Sequence, residues 1–76
     1  MDKATVTADT LELILLNQQA LRAAIEELSV WVRQRGSVPA ADNVLAALQT
    51  LDLNAEGIEQ GIRVLRGVTV YSQVHL

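Results

Sequence analysis

Two long stretches of this chain repeat apolar residues at alternating intervals of three and four, and only Gly36, Ser37 and Val38 separate them. In the first stretch, Leu11, Ile14, Gln18, Leu21, Ile25, Leu28 and Val32 keep the spacing, with Gln18 as the polar exception. In the second, Ala41, Val44, Leu48, Leu51, Ala55, Ile58, Ile62 and Leu65 keep it throughout. A helix turns once in about 3.6 residues, so this spacing gathers side chains into one stripe that packs on a neighbouring helix. The pattern predicts helices over 8–35 and 38–66 with a turn at 36–38. A break near Asn54 to Gly57 is the alternative for the second helix, because Gly57 and Gly61 each cost roughly 1 kcal/mol relative to Ala inside a helix. The period runs through both glycines and favours one helix, kinked or straight.

The ends carry matching signals. Asp9 followed by Glu12 resembles a capping box, and Arg33 and Arg35 stand where the helix dipole favours cations. Gly36 supplies a left-handed stop. Ser37 is the candidate N-cap of the second helix, Pro39 suits its first turn, and Gly67 is its stop. A turn this short makes the helices antiparallel neighbours. Val32 then opposes Ala41, Leu28 opposes Val44, Ile25 opposes Leu48, and Leu21 opposes Leu51. Gln18 opposes Ala55, Ile14 opposes Ile58, and Leu11 opposes Ile62. The paired residue numbers add up to the same total within one at every level, so two separately read patterns agree on one all-α hairpin.

A hairpin alone leaves apolar surface over. The chain has 76 residues, half of them hydrophobic, and no Cys. A chain this small buries too little surface for comfortable stability and gains from a disulfide, a metal or a partner chain. Disulfides and thiolate metal sites are excluded, and the one His, His75, stands next to the C-terminus. That leaves a partner. Beside its seam, helix one carries Leu13, Ala20, Ala24 and Trp31, and helix two carries Ala47, Leu53, Gly57, Gly61 and Val64. The candidate self-association interface is Leu13, Ala20, Ala24, Trp31, Ala47, Leu53, Gly61 and Val64, and a homodimer forming a four-helix bundle is the simplest way to cover it. Asn17, Gln18 and Asn54 form a candidate polar layer whose amides would set the register of that bundle. Beyond the second helix, Val68, Val70, Val74 and Leu76 alternate with polar residues, so 68–76 is expected to be an extended tail, paired with its copy, with a docked or disordered tail as the alternative.

No constellation for chemistry emerges. Asp52, Glu56, Glu59, Arg63 and Arg66 share a charged stripe that reads as a solvated face, with Glu59 and Arg63 supporting the helix at i, i+4. A di-metal bundle needs a Glu-x-x-His on facing helices, and neither helix has a His. Glu26 and Glu27 point about 100° apart and do not share a ligand. The glycines match no phosphate-binding fingerprint. With nine acids against six basic residues and a net charge of −3, binding to nucleic acid or to an anionic membrane is not expected. Met1 to Thr10 reads as no signal peptide, no aliphatic run reaches the length of a membrane span, and the expected location is the cytoplasm. The expectation is therefore a non-enzymatic, self-associating protein–protein interaction module without cofactor or metal. Its rivals are an obligate subunit of a heteromer, such as a co-chaperone or inhibitor, and a small-ligand-binding helical bundle.

Overall fold

The computed structural model describes residues 2–67, and the expected extended tail at 68–76 lies outside them. Two helices, α1 (Lys3–Gln34) and α2 (Val38–Arg66), pack along each other as a hairpin. Their antiparallel order is visible at both ends: Arg33 pairs with Asp42 beside the turn, and Arg66 pairs with Asp9 at the open end. At 1.5 Å per residue each helix is roughly 45 Å long.

The N-terminus of α1 corrects the capping reading. The helix begins at Lys3, well before Ala8, and its N-cap is Asp2, whose carboxylate accepts the Thr5 N–H at 2.7 Å. Thr and Val are modest helix formers, which disguised this first segment. Once inside, the Thr7 and Thr10 hydroxyls donate to the carbonyls of Lys3 and Val6, so their polar groups are satisfied within the helix. Asp9 and Glu12 are therefore interior residues and not a capping box.

At the other end the helix stops at Gln34, one residue short of expectation, in a Schellman turn. The Gly36 N–H donates to the Arg33 carbonyl at 3.0 Å, and the Ser37 N–H donates to the Val32 carbonyl at 3.2 Å. Gly36 has φ +96°, a conformation that a side chain would strain. Ser37 precedes α2 but makes no side-chain capping bond, and Pro39 sits in the first turn. α2 runs unbroken through Asn54 to Gly57 and ends at Gly67, φ +74°.

The seam of α2 follows its sequence except at its last level: Ala41, Leu48 and Ile62 are buried, Val44, Leu51, Ala55 and Ile58 are half-buried, and Leu65 is exposed near the helix end. The seam of α1 is different. Leu11, Gln18 and Val32 are half-buried as expected, but Ile14, Leu21, Ile25 and Leu28 are 48%, 61%, 39% and 61% exposed. Leu15, Arg22 and Ser29 take their levels opposite Ile58, Leu51 and Val44, with Ala8 buried one heptad earlier. Relative to expectation, α1 is turned by roughly 50°, half the angle between successive residues. Both columns satisfy the three-four spacing, and hydrophobicity alone favours the wrong one. The observed turn brings the Arg22 guanidinium onto Asp52, with Nε at 2.6 Å and Nη2 at 3.0 Å from the two carboxylate oxygens. It also buries Ser29, whose hydroxyl is satisfied by the Glu26 carbonyl at 2.7 Å.

Candidate interaction face

Because α1 turns this way, the hairpin has two unlike broad faces. The first holds every ion pair that joins the helices among the described residues. Arg22 binds Asp52 and, along its own helix, Glu26; Arg33 binds Asp42; Arg66 reaches both Asp9 and Glu12, at 2.8 and 3.0 Å. These hydrogen bonds raise the pKa of Arg22, chiefly through Asp52, and of Arg66, chiefly through Asp9. Of the charged stripe on α2, Asp52 and Arg66 are thus used across the hairpin, and the Glu59–Arg63 pair is not among these bonds. Leu15, Gln18, Arg22, Leu51 and Ala55 line a cleft of about 160 Å³ on this side, too open and too small for more than solvent or one small group.

The second face is built from each seam displaced by one residue. On α1 this gives Thr7, Thr10, Ile14, Asn17, Leu21, Ala24, Leu28 and Trp31. On α2 it gives Ala40, Asn43, Ala47, Thr50, Asn54, Gly57, Gly61 and Val64. All are exposed, and none carries a charge. One residue is a rotation of about 100°, so each helix presents two three-four seams nearly at right angles, one for its partner in the hairpin and one unused. In an antiparallel pair the two displaced seams fall on the same side. The columns are also unequal in size: Ile14, Leu21, Leu28 and Trp31 project from α1, whereas α2 shows mostly Ala, Gly, Asn and Thr. A Cβ built on Gly57 or Gly61 meets no atom within 4 Å, so nothing in the chain itself demands a glycine there. Ala24, Glu27, Leu28 and Trp31 border a shallow hollow, with Glu27 on its outer edge, and the Arg35 guanidinium lies 4.7 Å from the centre of the Trp31 ring.

The residues singled out in the sequence divide accordingly. Ala24, Trp31, Ala47, Gly61 and Val64 belong to this uncharged face, with Trp31 54% exposed and therefore no core residue of the hairpin. Leu13, Ala20 and Leu53 are exposed on its outer flanks, one further helical step from the seam. Ile14, Leu21 and Leu28 were missed because they were assigned to the hairpin's own seam. The amides do not form one layer within the chain: Gln18 faces the hairpin seam at the level of Ala55, while Asn17 and Asn54 stand on the uncharged face. The side-chain hydrogen bonds between the helices come from Arg22, Arg33 and Arg66 and involve none of these amides.

Among the described residues, no group of three or more His, Asp or Glu side chains is placed to hold a metal ion, and no helix is long and apolar enough to cross a membrane. His75 lies outside the described residues. Comparison with protein families, with curated proteins and with solved structures gives no match.

Proposed function

We propose that this protein is a non-enzymatic interaction module that self-associates through its uncharged face. The observation that carries the reading is the second seam. Large aliphatic residues on three-four spacing are exposed along one side of the hairpin, while the ion pairs that join the helices lie on the other, and Glu27 and Arg35 bring charge to the edge of the apolar side near Trp31. Isolated exposed apolar residues need no explanation, but a continuous uncharged stripe on both helices marks a surface that meets protein. Few large side chains are buried within the single chain, namely Leu15, Leu48 and Ile62 among the described residues, so covering this face would add most of the missing core. A regulatory or chaperoning role toward another protein would then be exerted by the assembled form. The Cys-free sequence is in keeping with a reducing compartment, the cytoplasm.

Light scattering on the purified protein at micromolar concentration tests the reading. The expected mass is about twice the 8.3 kDa of one chain, or a higher multiple. A fully helical monomer at that concentration would leave the face to an unlike partner and overturn self-association.

A further inference from the structure

Resting on the reading that the uncharged face is where this protein associates, we propose a specific arrangement. Two copies stack face to face about a two-fold axis parallel to the helices, so that α1 of each copy lies on α2 of the other and both turns sit at the same end.

Three observations lead there. The first is area. Two helices roughly 45 Å long and 10 Å across present a face of roughly 900 Å², which matches the ~800 Å² per partner of a stable specific interface. The second is size. Interaxial distance follows the side chains at the contact. Setting α1 on α1 would oppose Leu21 to a large neighbour and force those helices apart, while α2 on α2 would bring Ala and Gly columns together and pinch the other side. Laying the large column on the small one keeps all four helices evenly spaced. It also accounts for two glycines that the isolated chain has no use for. The third is register. An axis parallel to the helices keeps each residue at its own height, so α1 of one copy meets the part of α2 that its twin already opposes within the hairpin. Ile14 then falls over the turn from Gly57 to Gly61 of the second copy, and Leu28 falls over the turn from Asn43 to Ala47. Asn17, the one amide in the α1 column, arrives level with Asn54, and the Trp31 indole N–H arrives level with Asn43. Polar meets polar and large meets small without any further adjustment. The same surface serves both partners, which is the self-complementarity a two-fold interface requires.

Spin-label distance measurement decides the arrangement. The chain has no Cys, so Gln34→Cys, at the exposed end of α1, introduces a single labelling site. The parallel axis predicts one label–label distance of roughly two to three helix diameters, ~20–30 Å, because the turns lie together. A distance near the full helix length, ~45 Å, places the turns at opposite ends and overturns the arrangement while leaving self-association intact. A monomeric mass with no defined distance overturns both. A swap of sizes tests the contact itself. Gly61→Leu should weaken association at least tenfold, and adding Ile14→Ala in the same chain should restore it. Failure of the second change to restore association, with helicity retained, counts against Ile14 over Gly61.

Discussion

The two broad faces of the hairpin use the same helices and the same repeat but solve different problems. The charged face clasps: Arg22, Arg33 and Arg66 each cross from one helix to the other, onto Asp52, Asp42, Asp9 and Glu12. Those side chains are partly in water, so each pair adds little to stability. Among the described residues, the uncharged face has no cross-helix bond of this kind. It has instead a column of Ile, Leu and Trp beside a column of Ala, Gly and Asn, with their polar groups limited to short amides and hydroxyls. The difference teaches how a short chain can choose between two seams. The rotation of α1 that brings these ion pairs together is also the one that leaves the more apolar column exposed.

Four experiments would break or sharpen this contrast. The largest effect is expected from a carboxylate on the uncharged face. Leu21→Glu should raise the dissociation constant at least about 100-fold, equivalent to about 2.7 kcal/mol, because the charge would be buried without a partner. Leu16→Glu is the matched control. Leu16 is similarly exposed, 55% against 61%, but lies on the charged side, and its replacement should leave the mass by light scattering unchanged. Equal losses from both would erase the distinction between the faces.

Glycine substitution gives a smaller effect whose sign depends on assembly. In the Leu21→Glu background, Gly57→Ala should stabilise the helix by about 1 kcal/mol in urea denaturation, since nothing in the chain crowds the added methyl. In the parent protein the same change should gain less, or weaken association, because the methyl intrudes on the second copy. Identical gains in both backgrounds would mean that nothing approaches Gly57.

The clasp is weaker again. Asp52→Asn removes the charge that Arg22 grips, and a modest fall in thermal midpoint is expected at low salt. The difference should vanish at about 1 M salt, where charges are screened beyond ~3 Å. A loss that persists at high salt would mean that Asp52 acts through packing and not through charge.

The least effect is expected at the helix start. Hydrogen bonding from the Thr5 N–H holds the Asp2 carboxyl below its ordinary value of 3.8. A depressed carboxyl contributes its stabilisation above that value and loses it as pH falls through the folded one. Amide exchange at Thr5 should therefore quicken as pH drops from neutral to about 2, after allowance for intrinsic exchange, with the hairpin's centre unaffected. Asp2→Asn keeps a capping oxygen and should make that first turn indifferent to pH over the same range.

How much of this was legible differs between the helices. α2 could be read nearly to the residue, because Pro39 marks its start, Gly67 needs a positive φ at its end, and its apolar residues form a single dominant column. α1 could not. Its cap, Asp2, is followed by Thr and Val in place of strong helix formers, so the eye settles on Asp9. Its apolar residues occupy three adjacent columns, and any two neighbouring columns satisfy the three-four rule. Part of the candidate face was visible as Ala24, Trp31, Ala47, Gly57, Gly61 and Val64. Its largest aliphatic residues, Ile14, Leu21 and Leu28, were hidden by their own hydrophobicity, which argues for burial inside the hairpin.

Two helices, their order, the short turn and the pairing levels along them were determined by sequence alone. Each rests on a local property: a period set by the helical pitch, a glycine with positive φ at the turn, and a loop too short for any but antiparallel neighbours. The rotation of α1 was decided only in the tertiary structure. Rotation about a helix axis leaves every local property unchanged and alters only what faces the other helix. It is therefore read only from contacts between groups far apart in the chain, such as Leu15 and Ala8 packed with Ile62, and Arg22 on Asp52.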